Sequence, residues 1–235
     1  FYRRQFGKYI AARVSVNFAQ TGYTDQFNEY NPFLLRRNLS FFTNIYEATL
    51  QGDFNFFKYR PGDPNNNFTP YLTFGIGIFS FSPYTYYPIK VGGGDSLVKL
   101  LKIKTEESKP ALSGQAICFP LGVGVKYALS RKLTIGAEVA YRFTTTDYLD
   151  DVSKDYLTVP GNDPNYFNPA DPAYDAKYPI SDPSLIFDPV TFNTVPKISL
   201  TNPTRGYSPN SNDHYLFAQL FLSFNFVTYR CPKAN

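Results

Sequence analysis

Leu133-Thr134-Ile135-Gly136-Ala137-Glu138-Val139-Ala140-Tyr141-Arg142-Phe143 alternates without a break. Leu133, Ile135, Ala137, Val139, Tyr141 and Phe143 are apolar, and the residues between them are small or polar. A period of two puts one set on each side of a strand. Two charges, Glu138 and Arg142, fall in mid-strand on the second side. In a soluble sandwich that side would look at water. About eleven residues of such alternation is also the length a tilted strand needs to cross a bilayer. The rest of the chain decides between the two.

The pattern recurs on both sides of this stretch. In 9–18, Ile10, Ala12, Val14, Val16 and Phe18 alternate with Ala11, Arg13, Ser15 and Asn17. In 44–56, Tyr46, Ala48, Leu50, Phe54 and Phe56 oppose a fully polar set of Glu47, Thr49, Gln51, Asp53 and Asn55. In 69–81, Leu72, Phe74, Ile76 and Ile78 oppose Tyr71, Thr73, Gly75, Gly77 and Phe79. In 115–127, Ile117, Phe119, Leu121, Val123 and Val125 oppose Cys118, Gly122, Gly124 and Lys126. In 215–227, Leu216, Leu220, Leu222, Phe224 and Phe226 alternate with Tyr215, Phe217, Gln219, Ser223 and Asn225. Residues 1–4 read as the end of a further strand, with a turn at 5–8. These strands are long against a globular mean of about five or six residues.

Composition closes several other routes. No run of about 18 apolar residues exists, so no helix of this chain is expected to span a membrane. The net charge of +4 is small, and the basic residues form no nucleic-acid-like stripe. One histidine, His214, excludes two-His and three-His zinc sites within one chain. Two cysteines, Cys118 and Cys231, do not make a disulfide framework. The chain opens on Phe1 without a signal peptide and so reads as mature, processed or incomplete.

Connections alternate in length: long at 19–43, short at 57–68, long at 84–113, short at 128–132, and long at 144–213. Transmembrane barrels of the bacterial outer membrane have short periplasmic turns and long extracellular loops. The expected fold is therefore all-β: an eight-stranded antiparallel up-and-down transmembrane β-barrel. It forms one domain over 1–235, with a long extracellular loop at 144–213 and a periplasmic tail at 228–235. The strand 9–18 must then run outward, which leaves the first hairpin largely missing from this sequence. A barrel of eight strands is filled by side chains. Arg13, Glu47, Asp53, Lys126, Glu138 and Arg142 become a lumenal charge network, and Glu138 and Arg142, about 14 Å apart along one strand at ~3.4 Å per residue, must each pair with another strand. The competing reading is a soluble sandwich or lipocalin-like barrel, which would enclose the apolar set and expose the charges.

With the strands placed, several blocks resemble the PorG family, the small outer-membrane barrel of the type IX secretion and gliding machinery of Bacteroidota. They are Arg37-Asn38-Leu39-Ser40-Phe41, Phe68-Thr69-Pro70-Tyr71-Leu72-Thr73-Phe74-Gly75-Ile76-Gly77, and Pro120-Leu121-Gly122-Val123-Gly124-Val125-Lys126. The most specific is Thr146-Asp147-Tyr148-Leu149-Asp150-Asp151-Val152-Ser153, and Arg205-Gly206 with Asn212-Asp213-His214-Tyr215 is also similar. Glu107 stands where the family pattern has glycine. The resemblance implies a non-enzymatic outer-membrane partner of a periplasmic ring of the PorK/PorN type, GldK/GldN in gliders. A stand-alone adhesin or receptor barrel using the 144–213 loop is the alternative.

Four local features are candidates for chemistry. Asp147, Asp150, Asp151 and Asp155 gather carboxylates at the end of the organising strand; their spacing is not that of an EF-hand, and turn-capping accounts for aspartates in such a loop. No metal or cofactor is expected. His214 with Ser208 or Ser211 lacks any serine motif, so no catalysis is expected. Gly92-Gly93-Gly94-Asp95 reads as a loop tip. Cys118 is expected on the inward face, and Cys231, in the periplasmic tail, is the candidate for a disulfide to a partner protein.

Overall fold

The computed structural model describes residues 1–27, 30, 39–89, 94–102, 110–153, 185–188, 193–196 and 212–226. Its strands are β1 (Tyr2–Phe6), β2 (Ile10–Thr24), β3 (Ser40–Asn55), β4 (Phe68–Ile89), β5 (Gly94–Lys99), β6 (Gln115–Ala128), β7 (Leu133–Thr144), β8 (Leu185–Asp188), β9 (Asn193–Pro196) and β10 (His214–Phe224). No α-helix occurs among the described residues. The main sheet runs β1-β2-β3-β4-β6-β7-β10, with β5 paired on the far half of β4, and β8 and β9 pair separately. All ladders are antiparallel, so the fold is the expected up-and-down arrangement.

The sheet curls into an open barrel. Phe1 beside β1 meets Phe221 of β10 edge to face, with ring centroids 5.4 Å apart, yet no ladder joins the two strands. Seven wall strands alternate in direction, so β1 and β10 run the same way. An antiparallel wall closes only with one more strand between them.

The two faces are inverted relative to a water-soluble barrel. Glu47, Asp53, Glu138 and Arg142 are 3, 1, 2 and 1 % exposed, whereas Leu50, Val139 and Leu222 are 57, 46 and 57 % exposed. The interior takes the polar set of every strand, and the outside takes Val14, Val16, Leu50, Phe74, Ile76, Ile78, Leu121, Val123 and Leu220. Ten residues of such a strand, at ~3.4 Å each and tilted ~40°, make an apolar belt about 25 Å tall.

The strands outrun their expected ends. β2 continues to Thr24 and β3 begins at Ser40, and the two stay paired throughout. β4 reaches Ile89 and carries β5, where the sequence read as a bare connection from 84 to 113. Beyond the belt neither face is uniformly apolar, so alternation fades while backbone pairing continues. The expected turn at 5–8 is also displaced: Gln5 and Phe6 pair with Ala11 and Ile10, and the chain reverses over 7–9. Gly7, at φ 76°, supplies the left-handed conformation the hairpin needs.

Candidate functional site: the barrel interior and its two ends

Two carboxylates organise the lumen. Glu138 on β7 receives Arg13 from β2 in a two-pronged contact, Nη1 to Oε2 at 2.6 Å and Nη2 to Oε1 at 2.9 Å. The Tyr71 hydroxyl donates to Oε2 at 2.7 Å, and Gln219 Nε2 donates to Oε1 at 3.1 Å. Tyr71 fits because it lies over Gly124: a Cβ there would stand 2.6 Å from the phenol ring. Nearer the long-loop end, Glu47 on β3 accepts from Asn17 Nδ2 at 2.8 Å, the Tyr215 hydroxyl at 2.6 Å and Arg142 Nε at 3.3 Å. Cys118, buried and inward-facing as expected, points Sγ at Glu47 Oε2 from 3.5 Å. The Arg142 guanidinium also lies over the Phe217 ring at 5.0 Å. Arginine–carboxylate pairs of this kind are the stronger hydrogen bonds of a protein interior.

Asp53 and Lys126 are placed differently. Asp53 has Arg3 Nε at 2.7 Å and Arg13 Nη2 at 3.8 Å. Neither contact is aligned as a hydrogen bond, and both Asp53 oxygens, like the Asn55 amide, lack an aligned partner among the described residues. Lys126 sits between aromatic faces, 4.7 Å from the Tyr59 centroid and 5.0 Å from that of Tyr71, an arrangement that stabilises a cation through the ring quadrupoles. All six charges expected in the lumen are thus inside, joined by Arg3, which sequence reading placed only in a strand fragment.

Each end of the lumen is capped by a tyrosine. At the short-turn end, Tyr59 leaves its turn and points inward, 7 % exposed, with its hydroxyl 2.8 Å from Thr134 Oγ1. At the other end, the segment after β7 folds into the mouth. Tyr148 and Leu149 are buried and pack with Ile45, Phe79, Phe81 and Cys118. Thr43 Oγ1 donates to Leu149 O at 2.6 Å. The Leu149 N–H donates to Asp213 Oδ2 at 2.7 Å, and the Asp213 N–H to Thr146 O at 2.8 Å. The long connection therefore leaves and re-enters at one anchored point. Tyr59 was hidden by its breaker-rich turn, and its signal was an aromatic among residues with no strand to serve.

The aspartates of this segment cap turns. The Val152 N–H donates to Asp150 Oδ1 at 2.9 Å, and Ser153 Oγ donates to Asp147 Oδ2 at 2.6 Å. Asp151 is fully buried at φ 66°, a conformation aspartate tolerates. Burial pushes the Asp213 carboxyl up to about 6, with the Asp147 charge adding and the Leu149 and Asp150 N–H groups opposing. His214 lies outside the barrel at the start of β10, 5.5 Å from both the Tyr141 and Phe143 rings, as part of the aromatic rim. Asp155, Ser208, Ser211, Cys231, Gly92, Gly93, Arg37, Asn38, Glu107, Arg205 and Gly206 lie outside the described residues.

No curated protein and no solved structure matches the chain. Comparison with protein families matches residues 4–159 to "Domain of unknown function (DUF6089)". That stretch covers well over half of the 235 residues, from β1 through β7 to just past the mouth segment. The chain belongs to the DUF6089 family.

Proposed function

We propose that the chain is a non-enzymatic outer-membrane barrel subunit of a type IX protein secretion and gliding complex. In this role it anchors a periplasmic ring of the PorK/PorN or GldK/GldN type to the outer membrane. The observation that carries the membrane part is the inversion of the wall, with Glu138 enclosed and Leu220 and Leu222 exposed. In water that belt would be an aggregation surface. In a bilayer it meets acyl chains, and the ladders use the backbone polar groups of the wall. Exposed Phe54, Phe56, Phe68 and Tyr127 at one end, and Phe18, Tyr46, Tyr141 and Phe143 toward the other, fit interfacial aromatic girdles.

The lumen favours a scaffold over a pore, since ion pairs and two tyrosine caps fill it. The secretion role rests on the resemblance of the blocks quoted above. The turns at 5–8, 57–68 and 128–132, with the tail 228–235, would then face the ring.

Affinity purification of the tagged chain from detergent-solubilised membranes tests the reading. Recovery of the periplasmic ring proteins is expected. Recovery of only an external ligand would replace the scaffold with a surface receptor, and fractionation with soluble protein after an alkaline wash would sink the membrane assignment.

A further inference from the structure

The three tight turns are tied into one surface. The Tyr59 N–H donates to Lys8 O at 3.2 Å and the Asn55 N–H to Tyr9 O at 2.6 Å, joining the first turn to the second. Gly62, at φ 85°, packs directly against the Arg131 side chain and joins the second to the third. The Ala128 N–H donates to Asn67 O at 2.7 Å. Asp63 holds the second turn in shape, accepting from the Asn65 N–H at 3.1 Å and from Asn66 Nδ2 at 2.8 Å.

This surface is strongly cationic. Lys8, Lys58, Arg60, Arg131 and Lys132 are all exposed on it, and Asp63, engaged within its own turn, is the one acidic residue of the three turns. At the opposite end Asp147, Asp150 and Asp213 are part-exposed and stand against Lys99 among the residues whose side chains are described. Solubility alone does not require such segregation. A cationic face attracts and orients an anionic partner.

We propose that the turn platform docks a carboxylate-rich surface of a folded partner protein. The inference deepens the scaffold reading, and rests on it for the side of the membrane concerned. A protein fits better than anionic headgroups. Arg60, Arg131 and Lys132 stand on turn tips beyond the girdle of Phe56, Phe68 and Tyr127, and backbone contacts fix their spacing. Mobile headgroups gain nothing from fixed spacing, whereas a folded acidic face does.

The test uses the full chain in native membranes with a zero-length amine–carboxylate cross-linker, and then in phosphatidylcholine nanodiscs. Lys8, Lys58 and Lys132 are expected to link to Asp or Glu residues of a periplasmic protein. Capture of that protein should fall about tenfold or more in R60E/R131E/K132E, and similarly between about 0.05 and 0.5 M salt. K132E alone should give a partial loss, which guards against misfolding of the triple variant, and K99E at the other end should change nothing. Capture unchanged in the triple variant overturns the inference, as does a loss confined to binding of phosphatidylglycerol vesicles. Ring proteins captured regardless of these charges would leave the scaffold reading standing without this inference. Charge-sensitive capture of a protein outside the ring would do the opposite.

Discussion

Glu138 and Asp53 are both carboxylates buried in the same lumen, and they are served very differently. Glu138, on β7, accepts four hydrogen bonds, contributed by β2, β4 and β10. Asp53, on β3, has Arg3 of β1 near but misaligned, and the neighbouring Asn55 amide also lacks an aligned partner among the described residues. A charge inside a barrel is satisfied when strands from all around converge on it.

The contrast can be broken by substitution. Glu138→Ala leaves the Arg13 guanidinium buried without its two short bonds and is expected to cost about 3–5 kcal/mol, read as the urea midpoint of the lipid-reconstituted protein. A double-mutant cycle sharpens the point. Arg13 and Glu138 should couple by about 1.5–3 kcal/mol, and Arg13 and Asp53, 3.8 Å apart, by less than about half of one. Asp53→Asn removes the Arg3 ion pair but no aligned hydrogen bond, and is expected to cost less than Glu138→Ala. If it proved as costly as Glu138→Ala, the contrast would be wrong.

A third carboxylate extends the comparison to the mouth. Asp213 is half-buried beside Asp147, and its carboxyl is pushed up to about 6 from the ordinary 3.8. The folded state therefore holds the proton more tightly, and the anchoring of the mouth segment weakens as pH rises from about 4 to about 6. The hydrogen-exchange protection factor of the Leu149 amide, with the intrinsic pH dependence divided out, should fall across that window, and Asp213→Asn should remove the fall. This is the smallest of the expected effects.

Much of this was legible in the chain. Period-two alternation assigned the face of each wall strand, and it already put Tyr71, Tyr215 and Gln219 on the inner side. That Glu138 and Arg142 must find partners on other strands followed from their spacing. Which partners they find did not, because that depends on the stagger of the whole sheet, and no single strand encodes it. The far ends of β2 and β3, 19–24 and 40–43, and all of β5, left no signal for another reason: there neither face is uniformly apolar, so pairing leaves no pattern. Leu149 was read as part of an acidic block, yet it is the residue of that block that packs deepest among Ile45 and Phe79.

Arg13 and Glu138 are 125 positions apart, and Glu47 and Arg142 are 95 apart. Synthesis thus delivers the cation of one pair and the anion of the other long before β7 exists. With the wall in lipid, as proposed, a nascent sheet ending at β6 would hold a guanidinium without its main counterion, a strongly unfavourable state inside a bilayer. The early hairpins gain little by leaving water alone, so insertion becomes a concerted event that waits for β7.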